Sequence, residues 1–251
     1  MRCALTAHVD REEALGYLGW AGQELDADLA ARLDRAVDLV ERITPTGLAQ
    51  VFRVDSISCD AAGVPCAVHL AGTPLVLESR DLAAHLGRPC VAVLMAVTLG
   101  LESERVLRRA GVRSAVDGLL VDACASSFVE SAANDLSRRI AEDAAARGLR
   151  AGARFSPGYG DLPLEVQPRF IAALDAGKLI GLSVTAGNLL VPTKSITAVA
   201  GLYDAPGDSA SDAPAPDGSL VPKATERRCA TCRLADSCLL RKQGRTCYES
   251  R

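Results

Sequence analysis

Apolar and polar positions recur along this chain with two different periods, and the switches between them outline the fold. Leu25, Leu29, Leu33, Ala36, Val37 and Val40 repeat every three or four residues with charges between them, which predicts a helix over Asp26 to Ile43. A shorter helix is expected over Arg11 to Trp20, and Thr44-Pro45-Thr46-Gly47 reads as a helix stop. From Gln50 to Ser58 the period falls to two, as in a half-buried strand, and Val64 to Leu70 and Pro74 to Glu78 are expected to be further strands. Ser79 is placed to cap a helix reaching about Leu86, ended by Gly87-Arg88-Pro89. Cys90 to Leu99 is almost wholly apolar and valine-rich, the composition of a strand buried on both faces, although periodicity alone also fits a short buried helix. Helices are expected over Glu102 to Ala110, Ala115 to Arg147 and Pro163 to Asp175. Strands are expected over Leu179 to Val184 and Ser195 to Tyr203, with the loop Thr185 to Lys194 between them. The early strands cluster and the longest helices follow them. The pattern therefore predicts an α+β fold with a twisted, largely antiparallel sheet and surrounding helices, not a regular βαβ alternation.

Composition narrows the class. Hydrophobic residues make up 49 % of the 251 positions, enough for a substantial core, but aromatics are only 4 %, so that core is mostly Ala, Leu and Val. A net charge of −3 offers no reason to expect nucleic acid or an anionic membrane as partner. No apolar run reaches the ~18 residues of a bilayer span, and the first ten residues lack the apolar region of a secretory signal. A cytoplasmic location is the default expectation. Residues 204–222 are rich in Pro, Asp, Ser and Gly with almost no apolar content, which predicts a disordered linker between a main domain, 1–203, and a tail, 223–251.

The stretch best suited to chemistry is Arg154 to Pro168. Pro157, Gly158 and Gly160 exclude regular helix from its first half and let the main chain approach a ligand closely. Arg154 offers a planar fork of donors for a carboxylate or phosphate. Tyr159 adds an aromatic face with a polar tip. Asp161 is expected to cap the helix that Pro163 opens. Glu130, on a separate helix, could be an ordinary solvated charge. Together, a carboxylate and an arginine on two rigid elements suit an amino-acid zwitterion, one taking the ammonium and the other the carboxylate.

Four segments in order carry a resemblance: Val97-Thr98-Leu99-Gly100, Asp122 to Glu130, Arg154-Phe155-Ser156-Pro157-Gly158-Tyr159-Gly160-Asp161, and Val191-Pro192-Thr193-Lys194-Ser195-Ile196-Thr197-Ala198. Together they resemble the activation domain of cobalamin-dependent methionine synthase in a stand-alone form, over roughly residues 50 to 203 and more weakly over the N-terminal helices. The resemblance implies a domain that binds S-adenosylmethionine and docks over a cobalamin carried by a partner. The partner would be a methionine synthase, or a related corrinoid protein, that lacks its own activation domain. There, one electron from a flavodoxin- or ferredoxin-like donor and a methyl from S-adenosylmethionine restore methylcobalamin from inactive cob(II)alamin. Carried over to this chain, Arg154 would hold the methionyl carboxylate and Glu130 the ammonium. Pro157 to Gly160 would shape the adenine end, with Gly158 and Tyr159 in contact. The family usually has Thr-Glu-Ser where this chain has Thr185-Ala186-Gly187-Asn188, so one carboxylate is missing. That loss keeps open a second reading, a non-catalytic docking module for corrinoid proteins with a decayed adenosyl site. No Gly-x-Gly-x-Gly loop after a first strand supports a generic methyltransferase.

Nine cysteines are many for such a chain. Cys3, Cys59, Cys66, Cys90 and Cys124 are scattered and read as small buried hydrophobes. Cys229, Cys232, Cys238 and Cys247 crowd the tail among Arg227, Arg228, Arg233, Arg241, Lys242 and Arg245, which favour the thiolate. Four thiolates can hold a tetrahedral zinc or an iron–sulfur cluster. Because the implied function consumes an electron, the cluster is the favoured expectation.

Overall fold

The computed structural model describes residues 1–20 and 22–204. The linker expected over 204–222, apart from Asp204, and the tail cysteines Cys229, Cys232, Cys238 and Cys247 lie outside the described residues. Within them, seven strands form one sheet: β1 (Arg2–Ala4), β2 (Thr46–Cys59), β3 (Pro65–Leu70), β4 (Val76–Glu78), β5 (Val91–Thr98), β6 (Leu149–Ala151) and β9 (Ser195–Asp204). Their order is β4-β3-β2-β5-β9-β6, with β1 also paired to β2, and every pairing is antiparallel. A small hairpin, β7 (Ser183–Val184) with β8 (Leu190–Val191), stands apart from it.

The apolar run at the centre becomes β5, and its two faces feed two cores. Val93, Met95 and Val97 point into one, beneath α1 (Arg11–Tyr17), α2 (Ala27–Glu41), α4 (Gly100–Arg113) and α5 (Ala115–Ala145). Ala92, Leu94 and Ala96 point into the other, beneath α3 (Arg80–Leu86), α6 (Gln167–Ala173) and α7 (Ala176–Ile180). A strand covered on both sides has no polar face to alternate, which is why its sequence reads as continuous. The α+β expectation is thus met by an antiparallel sheet with helices on both faces.

Differences are local. β2 begins at Thr46 rather than Gln50, because the turn signal ends at Pro45 and Gly47 is already in the ladder opposite Val97. A Cβ at Gly47 would approach the Leu5 side chain at 2.8 Å, so this glycine marks close packing. The strand expected over Leu179 to Val184 is mostly helix: α7 occupies Ala176–Ile180, between left-handed Asp175 and Gly181, and only Ser183–Val184 pairs. β1 and β6 are three-residue strands held by tertiary pairing, too short to show a period.

Candidate functional site

α5 carries the site. Ser114 caps it, its side chain accepting from the Asp117 amide, and the Ala-rich sequence sustains it for 31 residues. One face is buried through Leu120, Cys124, Phe128, Ala132 and Leu136. Burial pushes the Cys124 thiol up to about 11, so it is a packed, inert group. On another row, at four-residue spacing, stand Asp122, Ser126, Glu130 and Asn134, and the two segments singled out in the sequence meet that row.

Arg154 arrives after β6. Main-chain bonds from Gly152 to the Gly201 carbonyl, and a reciprocal pair between Phe155 and Val199 at 2.8 Å each way, strap the segment to β9. His85 bonds the Ala153 carbonyl at 2.9 Å and tilts against the Phe155 ring. So held, Arg154 turns its fork to α5: one Nη donates to the Glu130 carboxylate at 2.7 Å, the other to the Asn134 amide oxygen at 2.6 Å. The two residues expected to share a site are therefore direct ion-pair partners, each about a third exposed or less.

The following turn is closed by its own bonds. The Gly158 amide donates to the Leu162 carbonyl at 2.8 Å and Tyr159 to Ser156 at 3.1 Å. Pro157 is buried, while Gly158, Tyr159 and Gly160 face outward. Gly158 and Gly160 have φ of +92° and +52°, a region that L side chains rarely adopt, and a Cβ at Gly160 would run into the Asp81 carboxylate. Asp161 does not cap the helix after Pro163. Its carboxylate crosses to the start of α3, accepting from the Ser79 hydroxyl and from the amides of Arg80 at 2.9 Å and Asp81 at 3.1 Å. Asp81 answers by accepting from the Asp161 amide at 3.0 Å. The loop is thereby clasped to α3, and Leu164–Val166 forms only a 3₁₀ turn before α6.

The third segment meets the same row one turn further along. Lys194 reaches Asp122 and Ser126, both at 2.8 Å, with its side chain nearly buried. Glu104 of α4 accepts from both the amide and the hydroxyl of Thr193. Ala186, where the resembled family has a carboxylate, lies at the tip of the β7–β8 hairpin.

α1 adds residues that sequence reasoning missed. The Tyr17 hydroxyl donates to Glu13 at 2.9 Å. Loss of solvent around that hydroxyl, then the Glu13 charge and hydrogen bond, and then the charges of Glu130 and Tyr159 raise the Tyr17 pKa above the ordinary phenol range. Tyr17, although half exposed, thus stands within electrostatic range of Glu130 and Tyr159. No spacing in the sequence links residue 13 or 17 to residue 130. Asn134 and Lys194 were more accessible, lying at or beside helical four-residue steps from Glu130 and within a quoted motif.

Among the described residues no group of three or more His, Cys, Asp or Glu is placed to hold a metal ion. No described helix is long and apolar enough to cross a membrane.

An antiparallel sheet between two helical layers, with two loops closing on one long helix, is the fold of the methionine synthase reactivation domain, and the chain is activation-domain-like in fold. The chain is similar to a solved structure, the crystal structure of the MetH reactivation domain bound to AdoHcy, with a TM-score of 0.60 at 16 % identity, over 80 % of this chain and 77 % of that one. No family model matches the chain, and no curated protein does.

Proposed function

We propose that this chain binds S-adenosylmethionine and acts in trans in the reductive remethylation of a cobalamin carried by a methionine synthase or related corrinoid protein. The observation that carries the reading is the Arg154–Glu130 pair, formed between α5 and the loop in a fold whose solved counterpart is bound to AdoHcy. A buried-edge Arg–Glu pair has the charges of a zwitterion's two ends reversed. A methionyl group fits by sharing both partners, its carboxylate on the Arg154 fork and its ammonium on Glu130. The Gly158 and Tyr159 amides are spent inside the loop, and the exposed Tyr159 ring offers its face to the adenine.

S-adenosylmethionine would supply a methyl group on a sulfonium, and the partner's cobalamin, with one electron from a flavodoxin- or ferredoxin-like donor, would accept it. No proton has to move, so the residues here hold and orient. A second reading, a docking module without methyl transfer, is favoured by Ala186 alone.

Calorimetry with S-adenosylmethionine on the anaerobically purified full chain tests this. Arg154→Ala should weaken binding by about 1.5–3 kcal/mol, roughly ten- to hundredfold. Arg154→Lys should recover only part, since an ammonium cannot reproduce the fork. Glu130→Gln should weaken binding with the fold unchanged, and remethylation of a cob(II)alamin-bearing partner should fall in parallel. Equal binding by wild type and Arg154→Ala, or none by either at millimolar concentration, would transfer the assignment to the docking module.

A further inference from the structure

The segment between β1 and α1 is extended but pairs with no strand. Its even-numbered amides are met instead by side chains of α5. Thr6 donates to the Asp135 carboxylate at 3.0 Å, His8 to the Ser131 hydroxyl at 3.1 Å, and Asp10 to the Ser127 hydroxyl at 2.9 Å. The odd-numbered positions turn the other way: Leu5 donates to the Pro45 carbonyl and Val9 to Glu41 of α2, with both side chains in the core. The match is metric. Four residues of helix rise about 6 Å and two residues of extended chain about 6.6 Å, so three rungs stay in step.

The serines are used unusually for helix interiors. Ser126 and Ser137 return their hydroxyls to the carbonyl four residues back, the local default. Ser127, fully buried, instead closes a ring on Asp10, accepting from its amide and donating to its carbonyl at 3.3 Å. Ser131 takes both the amide and Nδ1 of His8. Asp135 is also held by Arg138 and Arg139, which fixes the last rung. Asp10 then caps α1 through the Glu13 amide. At seven residues α1 is too short to hold itself, so its placement is inherited from what precedes it.

We propose that Ser127, Ser131 and Asp135 are positioning residues for the ligand site: the ladder they form seats α1 on the helix that bears Glu130. α5 thus works on two rows at once, one carrying Glu130 and Asn134 towards Arg154, the other gripping the N-terminal segment that leads into α1. This rests on the S-adenosylmethionine reading above for its consequence, though not for its geometry.

The test is Ser131→Ala in the full chain, with Ser131→Thr, which keeps the hydroxyl, as the rescue. Two readouts are taken: S-adenosylmethionine affinity by calorimetry, and the nuclear Overhauser contacts between α1 and α5 by residue-assigned NMR. Ser131→Ala should weaken binding about fivefold, the worth of one hydrogen bond. It should also shift the α1–α5 contacts, and Ser131→Thr should restore both. If affinity and those contacts stay at wild-type values while the Thr6 and His8 amides exchange faster, the ladder has opened without moving α1 and the proposal is overturned. If the wild type does not bind S-adenosylmethionine, the ligand reading falls, and the α1–α5 contacts alone decide: unchanged contacts in Ser131→Ala overturn the positioning role.

Discussion

At Gly160 a left-handed backbone and a close approach coincide, since a Cβ there would meet the Asp81 carboxylate that already holds the Asp161 amide. Gly160→Ala should therefore cost about 1–3 kcal/mol in denaturant unfolding, from the backbone and the broken clasp together. Adenosyl affinity should fall with it, because the loop loses its seat on α3. Asp161 and Asp135 make a second expectation. Partial burial pushes both carboxyls up. For Asp161, bonds from Ser79 and the Arg80 and Asp81 amides outweigh that; for Asp135, bonds from Thr6, Arg138 and Arg139 do so. Both groups are held below the usual carboxylate range. A folded pKa below the unfolded one contributes stability that is present above about pH 4 and lost as pH falls through the folded value. Denaturant midpoints should accordingly drop between pH 5 and pH 3 (both set by that ~pH 4 threshold), and less so in Asp161→Asn, where an uncharged acceptor replaces the titrating one. At the same scale, Arg154 and Glu130 were legible as a complementary pair. Asp161 was legible only as a cap, and it caps a helix 80 residues away from its own position.

At the scale of elements, α5 explains what pattern reading could and could not reach. Its length and buried face follow from composition and period, and the helix expected over Ala115 to Arg147 forms over Ala115–Ala145. Its polar residues look like a solvated surface, because helical period distinguishes core from non-core and nothing finer. Three polar rows in fact have separate uses: Asp122, Ser126, Glu130 and Asn134 meet the loops; Ser127, Ser131 and Asp135 meet the N-terminal segment; Arg138 with Glu142 remains at the surface. The same limit applies to α7, where a short apolar run fits strand or helix equally, and left-handed Asp175 and Gly181 decide for helix.

For the whole molecule, the two cores built on opposite faces of one sheet make the described residues a closed packing unit, and we expect a chain ending at Asp204 to unfold cooperatively and keep its affinity for S-adenosylmethionine. The tail is then tested on the full chain: iron with acid-labile sulfide is the expected content of Cys229, Cys232, Cys238 and Cys247. Stoichiometric zinc would reassign them to a structural knuckle, and rapid alkylation of all four would leave them free thiols.

Read alone, the amino-acid order determined what depends on neighbours a few residues away. It marked the apolar run at Cys90 to Leu99, the cap at Ser79, the Gly158–Gly160 turn and an α+β arrangement. Periodicity, capping and glycine act through the local backbone, so they leave a local trace. Tertiary structure decided the partners: Arg154 with Glu130 at a separation of 24 residues, the Asp161 amide with Asp81 at 80, His8 with Ser131 at 123. It also decided that α1 packs on α5, the helix that bears Glu130. Those choices are made by how the sheet orders its strands and where the long helix lies across it. A polar side chain has the same sequence signature whichever neighbour the packing brings to it.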